Sequence, residues 1–290
     1  MKILKLIALL VGSASMLSAC SVEVEEQTAP HAESVEVGFM LPEAATRTSL
    51  DPDGVTTRWV PGDKLAVWAK DAAGNYAFEN ASFMMRYYSE EYDHAYFVSN
   101  ISPMADGEYT YMISYPTPNS TNGTLATYTL PSVQTGEYDG RYDVMLAEPV
   151  VEQALNAKSK VELNTVMRHK MHALKITVPE GRNLFGQRFY RLEIVFPNDV
   201  VGDMTIDVNN PDEAPVYSNT SNTIVVESAA GFDAGDVIWA YVLPGVVDGD
   251  VSYKVRGERR KSNDASYPLS RDMKEGHVTP INMAIPTIYP

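Results

Sequence analysis

A single cysteine, Cys20, occurs in 290 residues. One thiol excludes an intrachain disulfide, a CxxC metal site and a dithiol relay. Basic charge is scarce as well: 23 Lys and Arg stand against 38 Asp and Glu, a formal net charge of −15. Binding a phosphate backbone needs a basic face, so nucleic acid is not an expected partner. Sustained 3.6-residue periodicity is missing, with room for only a turn or two of helix in Glu152 to Ser159. No apolar run reaches the ~20 residues that span a bilayer as a helix. There is no GxSxG elbow, no P-loop and no HExxH, so the chain is not expected to be an enzyme, and no cofactor or metal is expected.

What is present begins at the N-terminus. Lys2 and Lys5 precede the apolar run Leu6-Ile7-Ala8-Leu9-Leu10-Val11, and small residues follow, which is the layout of a secretory signal peptide over residues 1–19. Leu17-Ser18-Ala19-Cys20 resembles the lipobox of bacterial lipoproteins. That resemblance implies cleavage between Ala19 and Cys20, acylation (palmitate) on Cys20 and a lipid anchor in the cell outer membrane. Loss of Lys2 and Lys5 takes the formal charge from −15 to −17. Residues 20–34 carry Glu23, Glu25, Glu26 and Glu33 with Pro30 and no aromatic residue, the composition of a flexible acidic tether.

From Ser34 onward the period is two. Val35, Val37, Phe39 and Leu41 alternate with Glu36, Gly38 and Met40, the pattern of a half-buried strand. Lys64 to Trp68, Tyr109 to Tyr115, Arg191 to Phe196, Met204 to Val208, Thr223 to Glu227, Val237 to Leu243, Val251 to Val255 and Thr279 to Ala284 read as further strands. Asn164 to Val178 holds one through Ala173, Leu174, Ile176 and Val178, and Asn119 to Gly123 reads as a loop. Tyr supplies 17 aromatics against 8 Phe and 3 Trp, in keeping with half-exposed strands. Short strands without alternating helices predict an all-β chain. More than ten of them exceed one sandwich of about 100 residues, so two sandwiches in tandem are expected, 35–157 and 158–290, joined near Gln153 to Lys160.

His169 and His172 sit three apart, so on one strand they face opposite ways and cannot share a metal. Asp51-Pro52-Asp53-Gly54 and Asp248-Gly249-Asp250 lack calcium-loop spacing and read as turns. Asp199, Asp203 and Asp207 are candidate paired acids that nothing in the sequence places in one cleft. Arg256 to Lys261 is a basic run in an acidic chain, read as a solvated hairpin with an acidic-partner docking patch as its rival. Tyr87, Tyr88, Tyr92 and Tyr96 read as cover for a sheet face, with a sugar-stacking platform as the alternative.

In order along the chain, Thr46-Arg47-Thr48-Ser49-Leu50, Trp59, Gly62-Asp63-Lys64-Leu65-Ala66-Val67, Tyr115-Pro116, Leu130-Pro131 with Gln134, Tyr142-Asp143-Val144-Met145, Met167-Arg168-His169 and Val242-Leu243-Pro244 resemble the landmarks of fimbrillin-like proteins of Bacteroidota. The resemblance implies two transthyretin-like β-sandwiches, export as an outer-membrane lipoprotein, and assembly with other fimbrial subunits by β-strand addition. A role in adhesion to a host or bacterial surface receptor goes with it. It also implies proteolytic maturation, for which Arg47 and Thr48 are the matching residues, with the strand of Val35, Val37, Phe39 and Leu41 displaced. Loss of residues 20–47 would move the charge from −17 to −12. The tail Ile285 to Pro290 has two prolines and is a poor donor strand, so a tip, accessory, stalk or uncleaved anchor position stays open. A surface glycan-binding lipoprotein of tandem sandwiches is the alternative reading.

Overall fold

The strands Lys64–Asp71 and Glu108–Tyr115 pair antiparallel and organise the molecule. Their sequences, KLAVWAKD and EYTYMISY, are apolar at nearly every central position, as expected of strands covered on both faces. Leu65, Val67, Ala69, Tyr111 and Ile113 point into one core; Ala66, Trp68 and Met112 point into another. The computed structural model describes residues 34–42, 49–50, 57–59, 61–89, 94–157 and 161–289. Among these the regular structure is all β-strand apart from a short 3-10 turn, Gly140–Tyr142, so the expected all-β class is observed. No helix among the described residues is long and apolar enough to cross a membrane.

The first core lies within a nine-stranded sheet. Its strands run in the order Val161–Glu162, Val35–Pro42, His94–Ile101, Tyr76–Ser89, Lys64–Asp71, Glu108–Tyr115, Met145–Ala147, Met167–His169, with Val150–Gln153 also pairing to Glu108–Tyr115. The two ends of this path, Val161–Glu162 and Met167–His169, are joined by residues 163–166 alone. That connection reaches at most about 19 Å. Eight strands laid flat would hold the ends about 34 Å apart. The sheet must therefore curl, and its concave face closes over its own side chains: Phe39, Phe83, Phe97, Tyr111 and Ile113 are all fully buried there.

The second core gathers three smaller sheets. One has the order Val133–Gln134, Thr223–Phe232, Phe189–Val195, Gly245–Arg256, Ala265–Met273; another is Val237–Val242, His172–Thr177, Val278–Asn282. The third is Val216–Ser221, Val201–Asp207, Leu125–Leu130, Ser120–Asn122. Segments early in the chain thus pair with segments late in it. Residues 120–134 leave the nine-stranded sheet to pair with Val201–Asp207 and Thr223–Phe232, then return as Met145–Ala147. Trp68 ties this excursion down, its Nε1–H donating to the Gly123 carbonyl at 3.0 Å.

Three local expectations are corrected. Asn119 to Gly123 contains the strand Ser120–Asn122, because a hairpin partner, Leu125–Leu130, satisfies its backbone. Glu152 begins no helix; it belongs to Val150–Gln153, paired with Glu108–Tyr115, where ladder bonds override the weak local propensity. Asn164 to Val178 holds two strands in two different sheets, Met167–His169 and His172–Thr177.

Gln134 joins two of the sheets by its side chain. Its Nε2 donates to the Tyr241 carbonyl at 2.9 Å, and its Oε1 accepts from the Tyr241 N–H at 2.8 Å. The amide thus acts as one extra peptide unit beside Val237–Val242. Replacing it by an isosteric apolar group strands two buried backbone groups at about 1–3 kcal/mol each. Gln134→Leu is expected to lower the unfolding free energy by about 2–4 kcal/mol, read as a fall in the urea midpoint with little change in m.

Candidate functional site

The strand Val35–Pro42 carries the alternating apolar residues Val35, Val37, Phe39 and Leu41. It lies inside the sheet, antiparallel to His94–Ile101 along all eight residues and parallel to Val161–Glu162 at Phe39 and Met40. Val37, Phe39 and Leu41 are buried and Val35 is half-buried, as the alternation predicted. Phe39 meets Phe83 at a centroid distance of 5.0 Å and Phe97 at 5.9 Å. Each of these apolar side chains contributes about 1.5–3 kcal/mol by burial.

The opposite face of the strand is polar. Glu36 receives the Arg86 guanidinium, with the two shortest atoms 2.6 Å apart, and this hydrogen bond holds the Glu36 carboxyl below its ordinary value. Both side chains are about half exposed, so the pair fixes register more than it adds stability. Gly38 lies under Tyr96: a Cβ there would sit 2.4 Å from the phenol oxygen and 2.8 Å from the Phe97 carbonyl oxygen. Only a residue without a Cβ lets the two strands approach this closely. Tyr96 in turn packs on Tyr87, ring centroids 5.1 Å apart.

Ala19, Cys20, Arg47, Thr48 and Tyr92 lie outside the described residues, as does Asp51-Pro52-Asp53-Gly54. Tyr87 and Tyr96 come together as a pair covering Gly38. Asp248-Gly249-Asp250 lies inside the strand Gly245–Arg256, where a turn was expected; pairing with Ala265–Met273 extends the ladder through it. Asp203 accepts from Thr129 and Asn219, Asp199 from Thr220, and Asp207 from the Asn209 N–H, so the three do not form one acid pair. His169 bonds Asp143 at 2.8 Å, while His172 sits on the following strand. No group of three or more His, Cys, Asp or Glu side chains capable of holding a metal occurs among the described residues.

His172 is structural. Its Nδ1–H donates to the Lys274 carbonyl at 2.9 Å, and Nε2 lies 2.9 Å from the Thr279 hydroxyl, which can donate to it. This ring is neutral, and burial pushes its pKa below the ordinary 6.5.

No family model and no curated protein matches the sequence. Solved structures do match the fold. One from Bacteroides uniformis, described provisionally as a cell adhesion protein, aligns over 86% of this chain and 93% of its own, with 16% identity and a TM-score of 0.56. Structures described in the same terms from Bacteroides ovatus (14% identity, 87% and 91% covered, TM-score 0.53) and Bacteroides fragilis (15%, 84% and 91%, 0.51) are also similar. At these identities the likeness is one of fold.

Two outcomes follow from the geometry. Gly38→Ala forces Tyr96 and the Phe97 backbone aside and is expected to cost about 1–3 kcal/mol, measured by chemical denaturation, whereas Ser34→Ala is neutral. For His172, the unfolded ring takes up a proton near pH 6.5 while the folded one still resists, so the unfolded state binds more protons there. Stability should therefore fall as pH drops below about 6.5, and a His172→Gln variant should show a shallower fall in midpoint between pH 7 and 5.

Proposed function

We propose that this chain is a fimbrillin-like subunit of a surface appendage, acting in assembly and adhesion rather than catalysis. The reading is supported most by one observation: a first strand seated between two partner strands, with Val37, Phe39 and Leu41 in the core. The fold shared with structures assigned provisionally to cell adhesion points the same way. So does the ordered series of sequence landmarks from Thr46 to Pro244.

In this reading residues 1–19 direct export, Cys20 is acylated, and the acidic segment 20–34 links the lipid to the body at the outer membrane. The body in this reading comprises two sandwiches, 35–157 and 158–290, with Ala126, Tyr128 and Leu130 of the first range lent to the core built mainly from the second. Proteolysis after Arg47 would sever the covalent link of Val35–Pro42 to the rest. His94–Ile101 would then lose its partner along eight residues, and a groove lined by Phe83 and Phe97 would open. An exposed edge above an apolar groove is the receptor half of β-augmentation, and a strand from another subunit would fill it.

The test is mass spectrometry of surface material combined with electrophoresis without boiling. Mature chains beginning at Thr48, in ladders of higher mass that vanish in an Arg47→Ala variant, are expected. Acylated chains beginning at Cys20 on every molecule, with no ladder, would overturn the maturation step and leave an uncleaved anchor.

A further inference from the structure

The basic run singled out in the sequence folds into a row of like charges. Arg256 is in cross-strand register with Arg191 on one side and bridges Lys261 on the other. Residues so paired project from the same face about 5 Å apart, and like charges in that relation repel. With Lys254, Arg259 and Arg260 they line an open cleft of about 620 Å³ on the five-stranded sheet. Six of the chain's 23 Lys and Arg thus share one depression on a protein of net charge −15.

Some of this charge is neutralised. Glu193, the one carboxylate in the lining, pairs with Lys254 at 2.9 Å and with Arg191 at 3.4 Å, and Arg191 also meets Glu227. Glu258 and Asp264 are exposed near by. Arg256, Arg259 and Arg260 are exposed and make no ion pair among the described residues. Lys261 rests with its ammonium 4.7 Å from the centre of the exposed Tyr289 ring. Among the described residues Arg256, Arg259, Arg260 and Lys261 have no carboxylate partner, and Arg256 and Lys261 stand side by side in the row, an arrangement that a bound anion relieves.

We infer that this cleft binds a linear acidic polysaccharide, one carrying sulfate or carboxylate groups on successive sugars. Guanidinium groups match both anions as two-pronged donors. The row's pitch is close to that of linked pyranose rings, whereas an extended acidic peptide sets its same-face carboxylates about 6.8 Å apart. A folded acidic protein, including a second copy of this chain, would bring its own negative surface against the rest of this one. A thin polymer meets only the local field, which dominates within the screening length of about 8 Å. The ring of Tyr289 adds a surface on which a sugar can stack. This inference stands independently of the fimbrial reading.

The test is affinity electrophoresis and thermal melting of the full-length protein with heparin, polygalacturonate, poly-glutamate and neutral dextran. Heparin and polygalacturonate are expected to retard the protein in a salt-sensitive way and to raise its Tm, and dextran to do neither. Arg256→Ser/Arg259→Ser/Arg260→Ser should weaken retardation by at least about tenfold. The charge-matched Arg141→Ser/Arg168→Ser/Arg182→Ser should retain it. No retardation by either acidic glycan at low salt, or equal loss in the two variants, would overturn the assignment. So would retardation by poly-glutamate as strong as by heparin, which would give the cleft to an acidic polypeptide.

Discussion

Everything in this protein depends on two adjacent strands that bury side chains on both faces. Lys64–Asp71 sends Leu65, Val67 and Ala69 into the curled nine-stranded sheet, and Ala66 and Trp68 into the core built mainly from later residues. Glu108–Tyr115 does the same with Tyr111 and Ile113 against Met112. Period two makes this sharing possible, since neighbours along a strand face opposite ways. It also makes it unforgiving: a slip of one residue would exchange the contents of the two cores. Trp68, fully buried and hydrogen-bonded at its ring nitrogen, marks the correct register.

The same sharing explains why the connections cross. Once the outer face of the central strands must be covered, the nearest chain available is the segment just after Tyr115. It supplies Ala126, Tyr128 and Leu130 to the second core and so pairs with Val201–Asp207. Gln134 secures the return. A side-chain amide that completes the hydrogen bonding of a neighbouring sheet is a polar device inside an apolar environment, and it confers geometry that hydrophobic contact alone would not.

Legibility from sequence followed the strength of the local pattern. Val35 to Leu41, Lys64 to Trp68, Tyr109 to Tyr115 and Val237 to Leu243 carry clear period-two or continuous apolar runs, and each is a strand. Tyr76–Ser89 carries Glu79, Asn80 and Arg86 amid its aromatics, and its strand character comes from partners on both sides. Ser120–Asn122 consists of polar residues all exposed, so only its hairpin partner defines it. At the candidate site, Phe39 and Leu41 could be read as core. The need for Gly38 could not, because it is set by Tyr96, 58 residues away. The basic run could be seen as charged, but its alignment with Arg191 is a property of strand register.

The position of Val35–Pro42 has a consequence for the order in which the protein comes into being. This strand is among the first parts of the folded body to be synthesised, yet one of its neighbours, Val161–Glu162, follows about 120 residues later. At ordinary elongation rates that is roughly ten seconds during which Phe39 and Leu41 have no finished sheet to enter. An early strand thus waits for a late neighbour, as Val133–Gln134 waits for Thr223–Phe232 and His172–Thr177 for Val278–Asn282, and until then its apolar face has no finished core to enter.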